Sequence, residues 1–154
     1  MSTIIALLPN LYYVTPMANP HVTLGYFGEV ADWDAEQMKS DIQLLAHGTR
    51  PIPAFTDCRS IFSSDPEYVV HVDLITAFPL TELRSKIERL YGNKHPMRKV
   101  RLDMTYGFIP HMTLGKVGDP EVDAHLNDPM LLRQEFTLNR LALWHGDDRT
   151  EITL

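Results

Sequence analysis

An α+β fold follows from three features of this sequence. Tyr68 to Thr76 alternates like a half-buried strand, with Val70, Val72 and Leu74 on one face and Val69, His71 and Asp73 on the other. Ala35, Met38, Ile42, Leu45 and Ala46 recur at three-to-four spacing, the pattern of an amphipathic helix. Strand-like and helical stretches are mixed along 154 residues, a length that suits one domain, residues 1–154, around one substantial core.

Taken in chain order, Thr3 to Leu8 reads as a buried strand that Pro9 and Asn10 stop. Residues 9–20 hold no helical periodicity and read as a loop. His21 to Val30 reads as a strand. Asp32 suits the N-cap of the helix that follows, Asp34 and Glu36 suit its first turn, and Gly48 closes it. Ala54 to Phe62 and Tyr68 to Thr76 form a hairpin across Ser63-Ser64-Asp65-Pro66. Pro79 opens a second helix carrying Leu80, Leu83, Ile87, Leu90 and Tyr91, and Gly92-Asn93 stops it. Phe108 to Val117 is expected as a strand, Pro120 to Leu132 as a weak helix and Phe136 to His145 as a strand. Gly146-Asp147-Asp148 then turns the chain into a last short strand, Thr150 to Leu154.

The net charge of −6 argues against sequence-blind binding to long nucleic acid, which needs a basic face, and leaves room for a small anion in a local pocket. No apolar run approaches the roughly eighteen residues of a membrane span. Ile4 to Pro9 is too short for a signal-peptide core and lacks a basic flank. Cys58 is the only cysteine, so no intramolecular disulfide forms, and a reducing, cytoplasmic setting fits best. A monomer is expected. Against the acidic background, Lys94, His95, Arg98, Lys99 and Arg101 form one basic segment. It is either a solvated loop or a clamp beside a phosphate, with Arg98 and Lys99 its candidate ligand contacts.

One pattern occurs twice, about ninety residues apart. The first copy is Pro20-His21-Val22-Thr23-Leu24-Gly25-Tyr26-Phe27-Gly28-Glu29 and the second Pro110-His111-Met112-Thr113-Leu114-Gly115-Lys116-Val117-Gly118-Asp119. Residues two apart in a strand share a face, so His21 looks the same way as Thr23, and His111 the same way as Thr113. Breaking a phosphodiester with water requires one proton taken from the nucleophile and another given to the leaving oxygen. Histidine titrates closest to neutrality, so a neutral and a protonated imidazole can share that work. The threonine hydroxyls can donate to the non-bridging oxygens, where negative charge gathers. Gly25 and Gly115 mark either a bulge with close backbone approach or plain strand irregularity.

These blocks resemble the two-histidine (2H) phosphoesterase superfamily, especially its bacterial and phage 2′-5′ RNA ligase-like branch. HVTLGYFGEV is similar to that branch's first motif and FIPHMTLGK to its second. The ending, with Phe136, Leu141, Leu143 and Trp144 before a polar turn, is similar to its closing hairpin. The resemblance implies a bilobal fold: two mostly antiparallel sheets with flanking helices and pseudo-two-fold symmetry around a central groove. It also implies metal-independent catalysis by His21 and His111, with Thr23 and Thr113 on the phosphate oxygens, and no cofactor. Lys116 falls where the family often has arginine, which implies a supporting cation. Tyr26 falls where the family has an aromatic or aliphatic residue, at the groove or in the core. One departure stands out: family members usually carry a helix between the first strand and the first motif, whereas about a dozen loop residues stand here.

Tyr12 and Tyr13 lie in that loop and either stack a base or simply pack. Trp144 reads as core or rim, or as a ligand contact. His71 and Asp73 share a strand face and raise a metal-dependent alternative. The leading expectation is a metal-independent phosphodiesterase acting on a small nucleotide or RNA end. A 2′,3′-cyclic phosphate, a 2′-5′ linkage, ADP-ribose cyclic phosphate or a cyclic oligonucleotide messenger would each suit. If the messenger is the substrate, the protein is a phage-type factor that destroys an immune signal. A module that holds a nucleotide or RNA without cleaving it is the non-catalytic alternative.

Overall fold

The computed structural model describes residues 2–7, 21–64, 67–76, 78–92, 99–105, 107–117 and 134–154. Among these residues, eight strands and two helices run in the order β1 (Ser2–Leu7), β2 (His21–Tyr26), α1 (Asp32–His47), β3 (Ile52–Ser64), β4 (Glu67–Thr76), α2 (Phe78–Tyr91), β5 (His111–Val117), β6 (Glu135–Leu138), β7 (Arg140–His145) and β8 (Asp148–Thr153). All neighbouring strands pair antiparallel, in the spatial order β6-β3-β4-β5-β2-β1-β7-β8. This is an α+β architecture of two four-stranded halves. One half is β2-β1-β7-β8 and the other is β5-β4-β3-β6, and they meet where β2 and β5 pair at Val22 and Met112.

Most of the core lies on one face of the sheet. Ile4, Val22, Leu24, Val72, Met112, Leu141 and Leu143 meet Met38, Ile42 and Leu45 of α1 and Leu80, Leu83 and Ile87 of α2 in a single buried cluster. Ile42 and Ile87 are fully buried, each contributing about 1.5–3 kcal/mol. The buried Tyr91 hydroxyl bonds the Asp41 carboxylate and ties the two helices together. The same alternation that buries these residues leaves His21, Thr23, His111 and Thr113 half-buried on the face opposite α1 and α2.

Several boundaries shift by one or two residues, and four further differences from expectation have a local reason. The first motif strand ends at Tyr26 rather than Val30, because Gly28 takes a left-handed conformation (φ 64°) and bends the chain toward α1. The N-cap of α1 is Ala31, not Asp32; the Asp32 carboxylate instead lies 2.8 Å from His145 Nε2. The second motif strand starts at His111, preceded by an extended lead-in whose Pro110 carbonyl accepts from Leu74 N–H. The single strand expected over 136–145 is two, broken at Asn139, because β6 pairs with β3 in one half and β7 with β1 in the other. The loop expected over 9–20, with the missing-helix departure, and the helix expected over 120–132 lie outside the described residues. No helix among the described residues is long and apolar enough to cross a membrane.

Both motif strands carry a bulge at the same place. Against β1, Ile5 pairs with Thr23 and Ile4 with Gly25, so Leu24 is the extra residue. Against β4, His71 pairs with Thr113 and Val70 with Gly115, so Leu114 is extra. Each bulge shifts the following side chains by one face. Tyr26, opposite Thr3, and Lys116, opposite Val69, are thereby turned to the face of the histidines. A Cβ on Gly25 would come within 2.9 Å of Leu102 and 3.1 Å of the Phe27 ring, so that position is fitted to the core. The bulged Leu24 carbonyl accepts from Nη1 of the buried Arg84 at 2.7 Å, and Arg84 Nε bonds Glu88 at 2.8 Å. Arg84→Met leaves this carbonyl unpaired and is expected to cost about 1–3 kcal/mol, read as a lower urea midpoint. An unchanged midpoint would show that the bulge does not depend on the guanidinium.

Candidate functional site

The antiparallel pair Val22–Met112 sets the two motifs head to tail. Around it, His21 lies toward Thr113 and Thr23 toward His111, and the two imidazoles stand on the diagonal. Diagonal neighbours in such a ladder are about 7–8 Å apart, which leaves room for one phosphoryl group between them. Neither ring is buried in the core; both are half-buried on the face opposite α1 and α2.

The carbonyl of Ile109 accepts from His111 Nδ1 at 2.8 Å. That bond fixes the tautomer of the neutral ring and leaves Nε2 as its free-lone-pair end, the form a general base requires. His111 also belongs to a cluster of three rings. Phe62 stacks on His71 with centroids 3.8 Å apart at 20°, and His111 meets both rings edge-on at 5.0 Å. His21 instead contacts Trp144 edge-on at 4.6 Å, and the Arg149 guanidinium lies over the Trp144 ring at 4.7 Å.

His71 is only 2% exposed, and its Nδ1 lies 3.0 Å from Asp73 Oδ1. The approach is close enough for charge attraction but lacks hydrogen-bond alignment, and neither ring nitrogen of His71 has an aligned partner among the described residues. Burial, and next the charge on His111, hold the His71 pKa below the ordinary histidine value, while Asp73 pulls the other way. Among the described residues no group of three potential ligands could hold a metal ion.

The other sequence candidates divide. Tyr26 shares a cleft with Thr23, Arg84 and His111 and is 37% exposed there. Lys116 is exposed on the face of the histidines. Lys99 is not brought to the histidines: it lines a cleft on the helix side with Trp33, Gln37 and Tyr91, because residues 99–105 run past the ends of α2 and β2, with Leu102 N–H bonded to Tyr91 and Asp103 N–H to Tyr26. Tyr12, Tyr13 and Arg98 lie outside the described residues. Phe62 and Ile109 were missed by sequence reasoning. The pairing of β3, β4 and β5 brings Phe62 to His111, with no local signal to mark it, whereas Ile109 stands two residues ahead of His111 in the lead-in to β5.

Several comparisons bear on this arrangement. The family model described as the 2′-5′ RNA ligase superfamily matches residues 9–150. The fold is similar to TT0787 of Thermus thermophilus, with a TM-score of 0.61 at 17% identity over 99% of this chain and 94% of that one. It is also similar to Usb1 of Kluyveromyces marxianus, with a TM-score of 0.60 at 14% identity over 97% of this chain and 82% of that one. The same Usb1 solved with uridine monophosphate gives a TM-score of 0.58 at 14% identity, over 97% and 81%. No curated protein matches the chain in sequence.

A testable consequence concerns His71. Its folded pKa is depressed, so its neutral ring contributes stability above the unfolded pKa of about 6.5, and that contribution is lost as pH falls through the folded value. Between about pH 7.5 and about pH 5, the Tm of the wild type is expected to fall further than that of His71→Phe in scanning calorimetry. Parallel falls would mean that His71 does not couple folding to protons.

Proposed function

The chain belongs to the 2′-5′ RNA ligase superfamily, and from that premise we propose that it is a metal-independent phosphodiesterase of the 2H phosphoesterase type. Its substrate in this reading is a short nucleotide or RNA end carrying a 2′,3′-cyclic phosphate, a 2′-5′ linkage or a related cyclic linkage. The observation that carries the reading is the head-to-tail pairing of the two His-x-Thr strands, with both motifs on the face opposite α1 and α2. The protein acts alone on such a substrate, in the cytoplasm.

A phosphate seated over the Val22–Met112 pair meets one imidazole and one hydroxyl from each half. His111 takes the proton of the attacking water at Nε2, the nitrogen left available by the Ile109 bond. Water adds to phosphorus as the ester oxygen departs, and protonated His21 gives that oxygen its proton. Thr23 and Thr113 donate to the non-bridging oxygens, and Lys116 offsets the charge that gathers there. The uridine monophosphate held by the like-folded Usb1 supports a nucleotide as the ligand class.

Product analysis over 2′,3′-cyclic mononucleotides, 2′-5′ dinucleotides, ADP-ribose cyclic phosphate and cyclic di- and trinucleotides identifies the linkage. On the active substrate, kcat/KM is expected to follow a bell-shaped pH profile, to survive chelator, and to drop by about 10²-fold or more in His21→Ala and in His111→Ala. Full activity in either variant would remove that histidine from the reaction. Turnover that chelator abolishes and added divalent ion restores would replace this scheme with a metal-dependent one.

A further inference from the structure

We propose that Phe62, Ser63, Gly107 and Ile109 form a binding subsite for the heterocyclic base of the substrate, on the His111 side of the reaction centre. This rests on the phosphodiesterase reading and adds to it a direction for the bound molecule. These four residues and His111 line a cleft of about 580 Å³, within the roughly 300–1,000 Å³ that small-molecule sites occupy.

Three features suit this cleft to a flat ring. Phe62 cannot turn freely, because it lies flat on the buried His71 and meets His111 edge-on, so little ordering remains to be done when a ligand stacks. Gly107 leaves open space: a Cβ there would meet no atom within 4 Å. Ile109 presents an apolar side chain that is 52% exposed, while its carbonyl orients His111. One residue thus borders the cleft and sets the catalytic ring, which couples occupancy to the reaction centre.

On the His21 side the Arg149 guanidinium already covers one face of the neighbouring Trp144 ring. Among the described residues lining the Phe62 cleft, Ser63 is the only polar side chain apart from His111. A base is therefore held by stacking and shape, without hydrogen-bond reading of its edge, and purines and pyrimidines are both accepted.

Calorimetric titration tests this without requiring turnover. The probes are adenosine 3′-monophosphate, uridine 3′-monophosphate and the base-free glycerol phosphate. In the wild type both nucleotides are expected to bind about 10-fold or more tightly than glycerol phosphate. Phe62→Ala, and Gly107→Leu as a variant that fills the cleft with Phe62, His71 and His111 all unchanged in identity, are each expected to remove that advantage. No advantage in the wild type, or an advantage that survives both variants, overturns the subsite. Preference for one base over the other by more than about 100-fold overturns recognition by stacking alone. Hydrolysis of glycerol 1,2-cyclic phosphate reports separately on the histidine pair. Hydrolysis without a base advantage removes the subsite and keeps the phosphodiesterase, whereas a base advantage without hydrolysis of any cyclic phosphate or 2′-5′ dinucleotide does the reverse.

Discussion

Val22 and Met112, both fully buried, form the ladder pair through which the two halves of the sheet join. Strand side chains alternate between faces, so a slip of one residue by either strand would turn that strand's histidine into the helix-packed core and expose its valine or methionine. Burial of two apolar residues therefore fixes the register of four polar ones. The chemistry of the groove is set from beneath, by the hydrophobic face of the strands that carry it.

The matched bulges extend this control along each strand. Leu24 and Leu114 break the alternation at equivalent points, which lets Tyr26 and Lys116 join the face already holding His21 and His111. Symmetry ends at the neighbouring strands. His111 is set beside Phe62 and His71, whose own pKa burial depresses, whereas His21 adjoins Trp144, the ring over which the Arg149 guanidinium lies. Two identical imidazoles thus sit in different surroundings, as the proposed division into acid and base requires.

Much of this was legible in the sequence because it is written locally. The repeat of Pro-His-x-Thr-Leu-Gly marked both motif strands, and the spacing of Met38, Ile42 and Leu45 marked α1. The alternation of β4 placed His71 on the face opposite Val70 and Val72, but nothing along the chain said which strand would lie beside it. Pairing across the sheet supplies that, and with it the contact to His111. Lys99 shows the converse: it is close to the second motif in sequence yet lies on the helix side, since Leu102 and Asp103 hold its segment against α2 and the end of β2. The break at Asn139 escaped for the same reason as the His71 contact, as both flanking runs are strand-like and only their partners differ.

That break has a consequence for how the two halves are threaded. Strands β1, β2, β7 and β8 belong to one half, yet β3 to β6 lie between β2 and β7 along the chain. The pseudo-symmetric units are nested, one spliced into the other, and do not follow each other in tandem. Cutting the backbone anywhere between β3 and β6 therefore leaves neither fragment with a complete half. The outer unit completes its sheet only after the inner one has drawn Arg140 back to Leu7, so the two are expected to assemble as a single cooperative body.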